Sequence, residues 1–204
     1  MISIVNYGLG NIGAFANVYK RLNIPVKISS RKEDLSGAKK IILPGVGSFD
    51  NAMTLLNKSG MRDRLDIMVL QEKVPVLGIC VGMQILSNSS EEGKLPGLGW
   101  IEGQVRKFDE SIFLHKTRLP HMGWNTVEPL TESPLFNKIK NGSRFYFLHS
   151  YYFSCINVGY EISHTNYGII FASAVCSGNI FGVQFHPEKS HKNGIQLLKN
   201  FAIF

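Results

Sequence analysis

Residues 74–79 read VPVLGI, an apolar run with no polar residue to give it a wet face. A half-exposed strand alternates in character, whereas a strand this uniform has to be covered on both sides. The run breaks directly into Gly78-Ile79-Cys80-Val81-Gly82, and residues 81–86 begin a helical pattern. A buried strand that turns at once into a helix is the repeating unit of a parallel sheet packed between helices. The rest of the first half repeats it: strands over 2–6, 26–29 and 40–43, a helix over 12–22, and helical stretches between 48 and 71. After about residue 96 the texture changes. Residues 99–105, 144–148, 160–164, 169–172 and 180–184 read as strands joined by turns, and 193–201 as a closing helix. The expected fold is α/β, a mostly parallel central sheet flanked by helices, with antiparallel strands added in the second half. Residues 1–204 carry no repeat, linker or low-complexity tract and read as a single domain.

At 204 residues such a chain buries a large core without disulfides or metals. The three cysteines, Cys80, Cys155 and Cys176, have no CxxC spacing, which argues against a disulfide framework and a zinc site. No apolar run approaches the roughly 18 residues of a membrane-spanning helix. The start, Met1-Ile2-Ser3-Ile4-Val5, lacks the basic region of a signal peptide, so a cytoplasmic location is expected. The net charge of +7 is scattered apart from Lys39-Lys40 and residues 189–192, a pattern that suits a basic surface or an acidic protein partner better than nucleic acid.

The chemistry concentrates at the strand-to-helix turn. A nucleophile between two glycines at such an elbow is exposed at the top of the sheet, and the glycines relieve crowding in the bend. The following helix N-terminus favours thiolate at Cys80, and the Val81 N–H points where an oxyanion would form. The alternative is a cysteine merely packed in the core. A thiol nucleophile also needs a base, and GVQFHPEKS offers His186 two residues before Glu188, a spacing that places both on one side of an extended segment. Alone, His-Pro-Glu is a turn with a surface ion pair; beside the elbow it completes a nucleophile, base and orienting acid. In LPGVGSFD the glycines free the backbone of Val46 and Gly47 to present N–H groups. That loop is the other half of an oxyanion hole, or a segment that must flip a peptide to complete one, or an ordinary connection.

Together Gly78-x-Cys80-x-Gly82-x-Gln84, Pro44-Gly45-Val46-Gly47 and His186-Pro187-Glu188 resemble the class I (triad) glutamine amidotransferases. Two further stretches, NYGLGNIGAFANVYKRL from Asn6 and LPHMGWN at residues 119–125, are similar to the glutaminase subunits of imidazole glycerol phosphate synthases. The resemblance spans essentially the whole chain. It implies a flavodoxin-like glutaminase fold that hydrolyses glutamine through a thioester on Cys80, with His186 and Glu188 completing the triad and no metal or organic cofactor. It further implies substrate contacts from Gly47, Gln84, Glu92 and the backbone of His149, Ser150 and Tyr151. Without the resemblance, Glu92 would be a solvated loop acid beside Glu91, and FYFLHSYY an aromatic core strand.

The implied partner is a (β/α)8-barrel cyclase subunit, joined in a heterodimer that receives ammonia and makes imidazole glycerol phosphate and AICAR. Asn11, Trp124, Tyr146 and Lys189 are the candidate partner contacts. Weak activity alone, strong stimulation by the liganded partner and switching by the 44–47 loop are expected. Three rivals remain. GLGNIG at residues 8–13 fits a dinucleotide-binding turn, but Ser29-Ser30-Arg31 stand where its ribose-binding acid belongs. A non-catalytic binding subunit would not need Cys80, His186 and Glu188. A paralogous glutaminase feeding a sugar-modifying amidotransferase of surface-glycan synthesis shares LPGVGSFDNAM and HPEKSH.

Overall fold

A computed structural model of the chain describes residues 1–112 and 118–204. The elements run β1 (Ile2–Val5), α1 (Ile12–Arg21), β2 (Val26–Ser29), β3 (Lys40–Gly45), α2 (Phe49–Lys58), α3 (Arg62–Asp66), β4 (Val76–Cys80) and α4 (Val81–Gln84). The second half adds β5 (Ser89–Ser90), β6 (Gly103–Lys107), β7 (His121–Pro129), β8 (Ser143–His149), β9 (Tyr151–Cys155), β10 (Glu161–Tyr167), β11 (Ile169–Ser177), β12 (Ile180–Val183) and α5 (His191–Ile203). Among the described residues, nine strands form one sheet in the order β2-β1-β3-β4-β12-β11-β10-β7-β8. The β2-to-β12 half is parallel and the β12-to-β8 half antiparallel. The expected mixed α/β architecture is therefore present. No helix among the described residues is long and apolar enough to cross a membrane.

Burial explains the apolar runs. Every residue of β1 and β4 is buried, as is every residue of β3 after Lys40, because helices cover both faces of these central strands. In α1, Phe15 and Tyr19 lie one turn apart on the buried face, the Asn11 side chain accepts the Ala14 N–H at the N-terminus, and Lys20 and Arg21 complement the C-terminal dipole. At the other end of the chain, Gly194, Leu197, Leu198 and Phe201 of α5 recur at helical spacing and are buried.

Three strands fall outside those expected, the two-residue β5 among them. β7 occupies His121–Pro129, whose glycine, asparagine and proline obscure its alternation. FYFLHSYY, which reads as one strand, is cut at Ser150: β8 belongs to the large sheet, whereas β9 joins β5 and β6 in a second sheet. The chain changes sheets at that bend, and His149, Ser150 and Tyr151 line a cavity there.

The site-forming end of the sheet depends on close backbone approach. Gly45 of β3 is the register neighbour of Cys80 at the end of β4. A Cβ on Gly82 would lie 1.9 Å from the Leu43 carbonyl oxygen, one on Gly45 2.4 Å from the Gly82 nitrogen, and one on Gly78 2.5 Å from the Gly82 oxygen. Only glycines let α4 start directly beneath β3. Gly82→Ala forces backbone apart in a fully packed region, and its urea midpoint should fall by the equivalent of at least about 3 kcal/mol.

Candidate active site

Cys80 sits at the hinge between β4 and α4, 4% exposed, with φ +56° and ψ −114°. Few non-glycine residues adopt this conformation, and here it turns the side chain out of the sheet toward a cavity of about 360 Å³. The same cavity is lined by Asn11, Val46, Gly47, Val81, Gln84, Glu92, His149, Ser150, Tyr151, His186, Glu188 and Lys189, so all but two of the residues singled out in the sequence share one site. The exceptions, Trp124 and Tyr146, lie beside it.

His186 follows β12 and is 3% exposed; its Nδ1 lies 2.9 Å from Glu188 Oε1. The spacing works through a different local geometry from the extended segment expected: Pro187–Lys189 form a single 3₁₀ turn that folds the carboxylate back onto the ring. Ser190 anchors this turn, donating its hydroxyl to the His186 carbonyl and accepting the Tyr146 N–H, while the His186 N–H donates to the Tyr146 carbonyl. Burial pulls the His186 pKa down, but the acceptor sulfur of Cys80 and the Glu188 carboxylate outweigh it and lift the ring to about 10. The ring is thus imidazolium at neutral pH whenever the sulfur is thiolate. Its Nε2 has no closed hydrogen bond among the described residues; the Cys80 sulfur is near enough to act on it without being aligned.

Glu92 and Glu91 separate clearly. The Asp50 carboxylate accepts the Lys94 and Leu95 N–H groups and ties their loop to the start of α2. There Glu92 Oε2 accepts the Phe49 N–H at 2.8 Å and the side chain lines the cavity, whereas Glu91 accepts the Lys107 N–H. Burial raises the Glu92 pKa, against the Phe49 hydrogen bond and with help from Asp50. Gln84 is buried, its amide nitrogen 3.0 Å from the Tyr151 carbonyl and 3.1 Å from Gln184 Oε1. Of the glycines in residues 8–13, Gly10 serves packing: it has φ +95°, and a Cβ there would lie 2.6 Å from Pro44 Cβ.

Sequence reasoning missed two residues, Gln184 and His121, and the side-chain role of His149, for which it named only the backbone. Gln184 is buried, with its amide nitrogen 3.7 Å from Cys80 Sγ. His121 and His149 form a buried pair, Nδ1 to Nε2 at 2.9 Å, with His121 stacked between Phe147 and Tyr167. His149 Nδ1 lies 2.8 Å from the Tyr151 carbonyl and must donate there, so its Nε2 accepts from His121, which in turn accepts from Asn125. Nothing in LPHMGWN marks that histidine as a partner of one 28 residues away.

On the outer face of β7 and β8 the register pairs Met122 with Leu148 and Trp124 with Tyr146. Met122 is 65% exposed, and Trp124 and Leu148 are each 38% exposed. Trp124 stacks on His191, and Lys189 Nζ lies 5.5 Å from the Tyr146 ring centroid.

Residues 4–203 match the family model described as glutamine amidotransferase class-I. The chain belongs to the class-I glutamine amidotransferase family. Its relatives include the imidazole glycerol phosphate synthase subunit HisH of Bdellovibrio bacteriovorus, 58% identical over 99% of both chains. The HisH protein of Leptospira borgpetersenii is 50% identical over 99% of both. In fold, a crystal structure of a glutamine amidotransferase superposes with TM-score 0.75 over 99% of each chain at 20% identity. As a class-I glutamine amidotransferase, with relatives of this closeness, the chain is an enzyme of the HisH group.

The histidine pair gives this amidotransferase a pH signature. Burial lowers His121 to about 4, and burial together with His121 lowers His149 to about 3, both below the unfolded value of about 6.5. The unfolded chain binds more protons below that value, so the pair's contribution is complete above pH 6.5 and is lost as pH falls. His186, raised in the folded state, contributes fully below its unfolded value and loses that contribution only as pH rises toward 10. Between about pH 6.5 and 5 stability should fall by on the order of 2 kcal/mol, read as the urea midpoint; a flat midpoint there contradicts a neutral buried pair.

Proposed function

We propose that this chain is the glutaminase subunit of a heteromeric synthase, hydrolysing glutamine to glutamate and ammonia through Cys80, His186 and Glu188. The observation that carries the reading is that a thiol from the β4–α4 hinge meets, on one cavity, an imidazole and a carboxylate from the turn after β12, with the imidazole held charged between the other two. The glutamine side-chain carbonyl carbon is attacked by the Cys80 thiolate. The oxyanion is received by the Val81 N–H at the first position of α4 and by N–H groups of the Val46-Gly47 segment. His186, held in orientation by Glu188, gives its Nε2 proton to the departing nitrogen, and ammonia leaves. The same nitrogen then takes a proton from water as it attacks the thioester, and glutamate is released. Glu92 receives the substrate ammonium, Gln84 offers its amide oxygen, and the His149-Ser150-Tyr151 bend meets the α-carboxylate.

Ammonia freed into neutral water becomes ammonium and ceases to be a nucleophile, so a dry route to a second active site is required. The exposed Val46 and Leu148 line the cavity, Met122 pairs with Leu148 and Trp124 with Tyr146 on the adjoining strand surface, and Lys189 supplies positive charge at the cavity. This is the face proposed to receive a (β/α)8-barrel cyclase subunit with an acidic rim, with Asn11, Trp124, Tyr146 and Lys189 among its contacts. The HisH names of the relatives support that acceptor, and with it imidazole glycerol phosphate and AICAR as the products of the complex. The chain acts as one domain over residues 1–204, in the cytoplasm, without metal or organic cofactor.

Glutamate release from glutamine, measured with and without the cyclase subunit and its ribulosyl ligand, tests the reading. Stimulation by the liganded partner is expected, and full activity of the isolated chain would refute the coupling. Cys80→Ser should lose at least about 10³-fold in kcat. Glu92→Ala should raise KM at least about tenfold with a smaller effect on kcat, since a charge-assisted contact to the substrate ammonium is lost.

A further inference from the structure

The sulfur of Cys80 touches a side chain outside the triad. Gln184, in the segment between β12 and His186, brings its amide nitrogen to 3.7 Å from Sγ, while its oxygen lies 3.1 Å from Gln84 Nε2. The direction of these contacts is forced. The Tyr151 carbonyl can only accept, so Gln84 presents its NH₂ group to it. The same NH₂ meets Gln184, which must answer with its oxygen, and only N–H remains to face the sulfur. His149 donates a second N–H to the Tyr151 carbonyl, so that acceptor is filled from both sides.

We propose that Gln184 is a positioning residue for the nucleophile: its N–H, oriented through Gln84 by the Tyr151 carbonyl, holds the Cys80 sulfur as an acceptor and favours thiolate over thiol. The inference rests on Cys80 being the nucleophile. A thiol has a different use for its proton, because Sγ lies 3.8 Å from the Leu148 carbonyl, to which an S–H donates. The two protonation states therefore have different partners, Leu148 for the thiol and Gln184 for the thiolate. The titratable groups around the sulfur are His186 with Glu188 behind it, His149 on β8, and Tyr7, whose hydroxyl donates to the Pro44 carbonyl. His186 supplies charge, and Gln184, two residues earlier on the same segment, supplies a neutral donor to the same sulfur.

Gln184→Glu keeps the size and removes the donor, and Gln184→Met removes both polar ends. The test is the pH dependence of Cys80 alkylation by iodoacetamide in the full chain, followed by peptide mass, with kcat and KM for glutamine measured beside the cyclase partner. Peptide mass separates Cys80 from Cys155 and Cys176, whose thiols burial pushes up to about 12 and about 11. The alkylation midpoint should rise by at least about half a pH unit in the Met variant and further in the Glu variant, with kcat down at least about tenfold and KM nearly unchanged. Folded variants with the parent's alkylation profile and kcat would overturn the proposal. If neither variant folds, the Gln184 side-chain amide resonance in ¹⁵N-labelled parent protein must move as Cys80 titrates, and a resonance indifferent to that titration overturns it equally. Retained hydrolysis in Cys80→Ser would instead sink the nucleophile assignment, an outcome separate from either of these.

Discussion

The structure depends on how closely three backbone segments approach where β3, β4 and α4 meet. Gly82 lies under the Leu43 carbonyl and Gly45 against the Gly82 nitrogen, so the helix begins with no side chain between it and the neighbouring strand. This contact fixes the direction in which Cys80 leaves the sheet. It also fixes the position of the Val46-Gly47 segment, which continues directly from β3. The thiol and its proposed oxyanion donors are thus consequences of one packing constraint, held by strands buried on both faces. Flexibility in such a region is costly, because interiors packed to this density transmit displacement instead of absorbing it.

The parallel half of the fold was legible because its signals are local. Residues 74–79 are uniformly apolar, Gly78 and Gly82 bracket a thiol, and Asn11 caps a helix whose apolar residues recur every turn. The antiparallel half was less legible. Alternation in β7 is interrupted by Gly123 and Asn125, and the break between β8 and β9 falls at Ser150 inside an aromatic run that carries no glycine or proline. What places that break is the demand of two different sheets for the flanking residues, a tertiary effect with no local trace.

The same division holds at the site. Cys80, His186 and Glu188 declare themselves through spacing and residue type. Glu92 could be chosen over Glu91 only through resemblance, and the physical reason lies in Asp50, more than forty residues earlier, which turns the loop so that one acid faces inward. Gln184 and the His121–His149 pair were invisible because their meaning is directional. A buried amide or imidazole has a role only once it is known which neighbour is obliged to accept, and here the obligation begins at a backbone oxygen.

The backbone at Cys80 carries a consequence for how such a protein changes over time. A β-carbon at φ +56°, ψ −114° is disfavoured by roughly 1–3 kcal/mol, and the residue that would relieve it is glycine, which has no thiol. Under the proposed mechanism the fold and the chemistry therefore want different amino acids at this position. A lineage released from the need to attack an amide would gain stability by losing the cysteine, and the loss would leave the glycines around it as well packed as before. Under the proposed mechanism, an inactive descendant would be recognised first by its relaxation there.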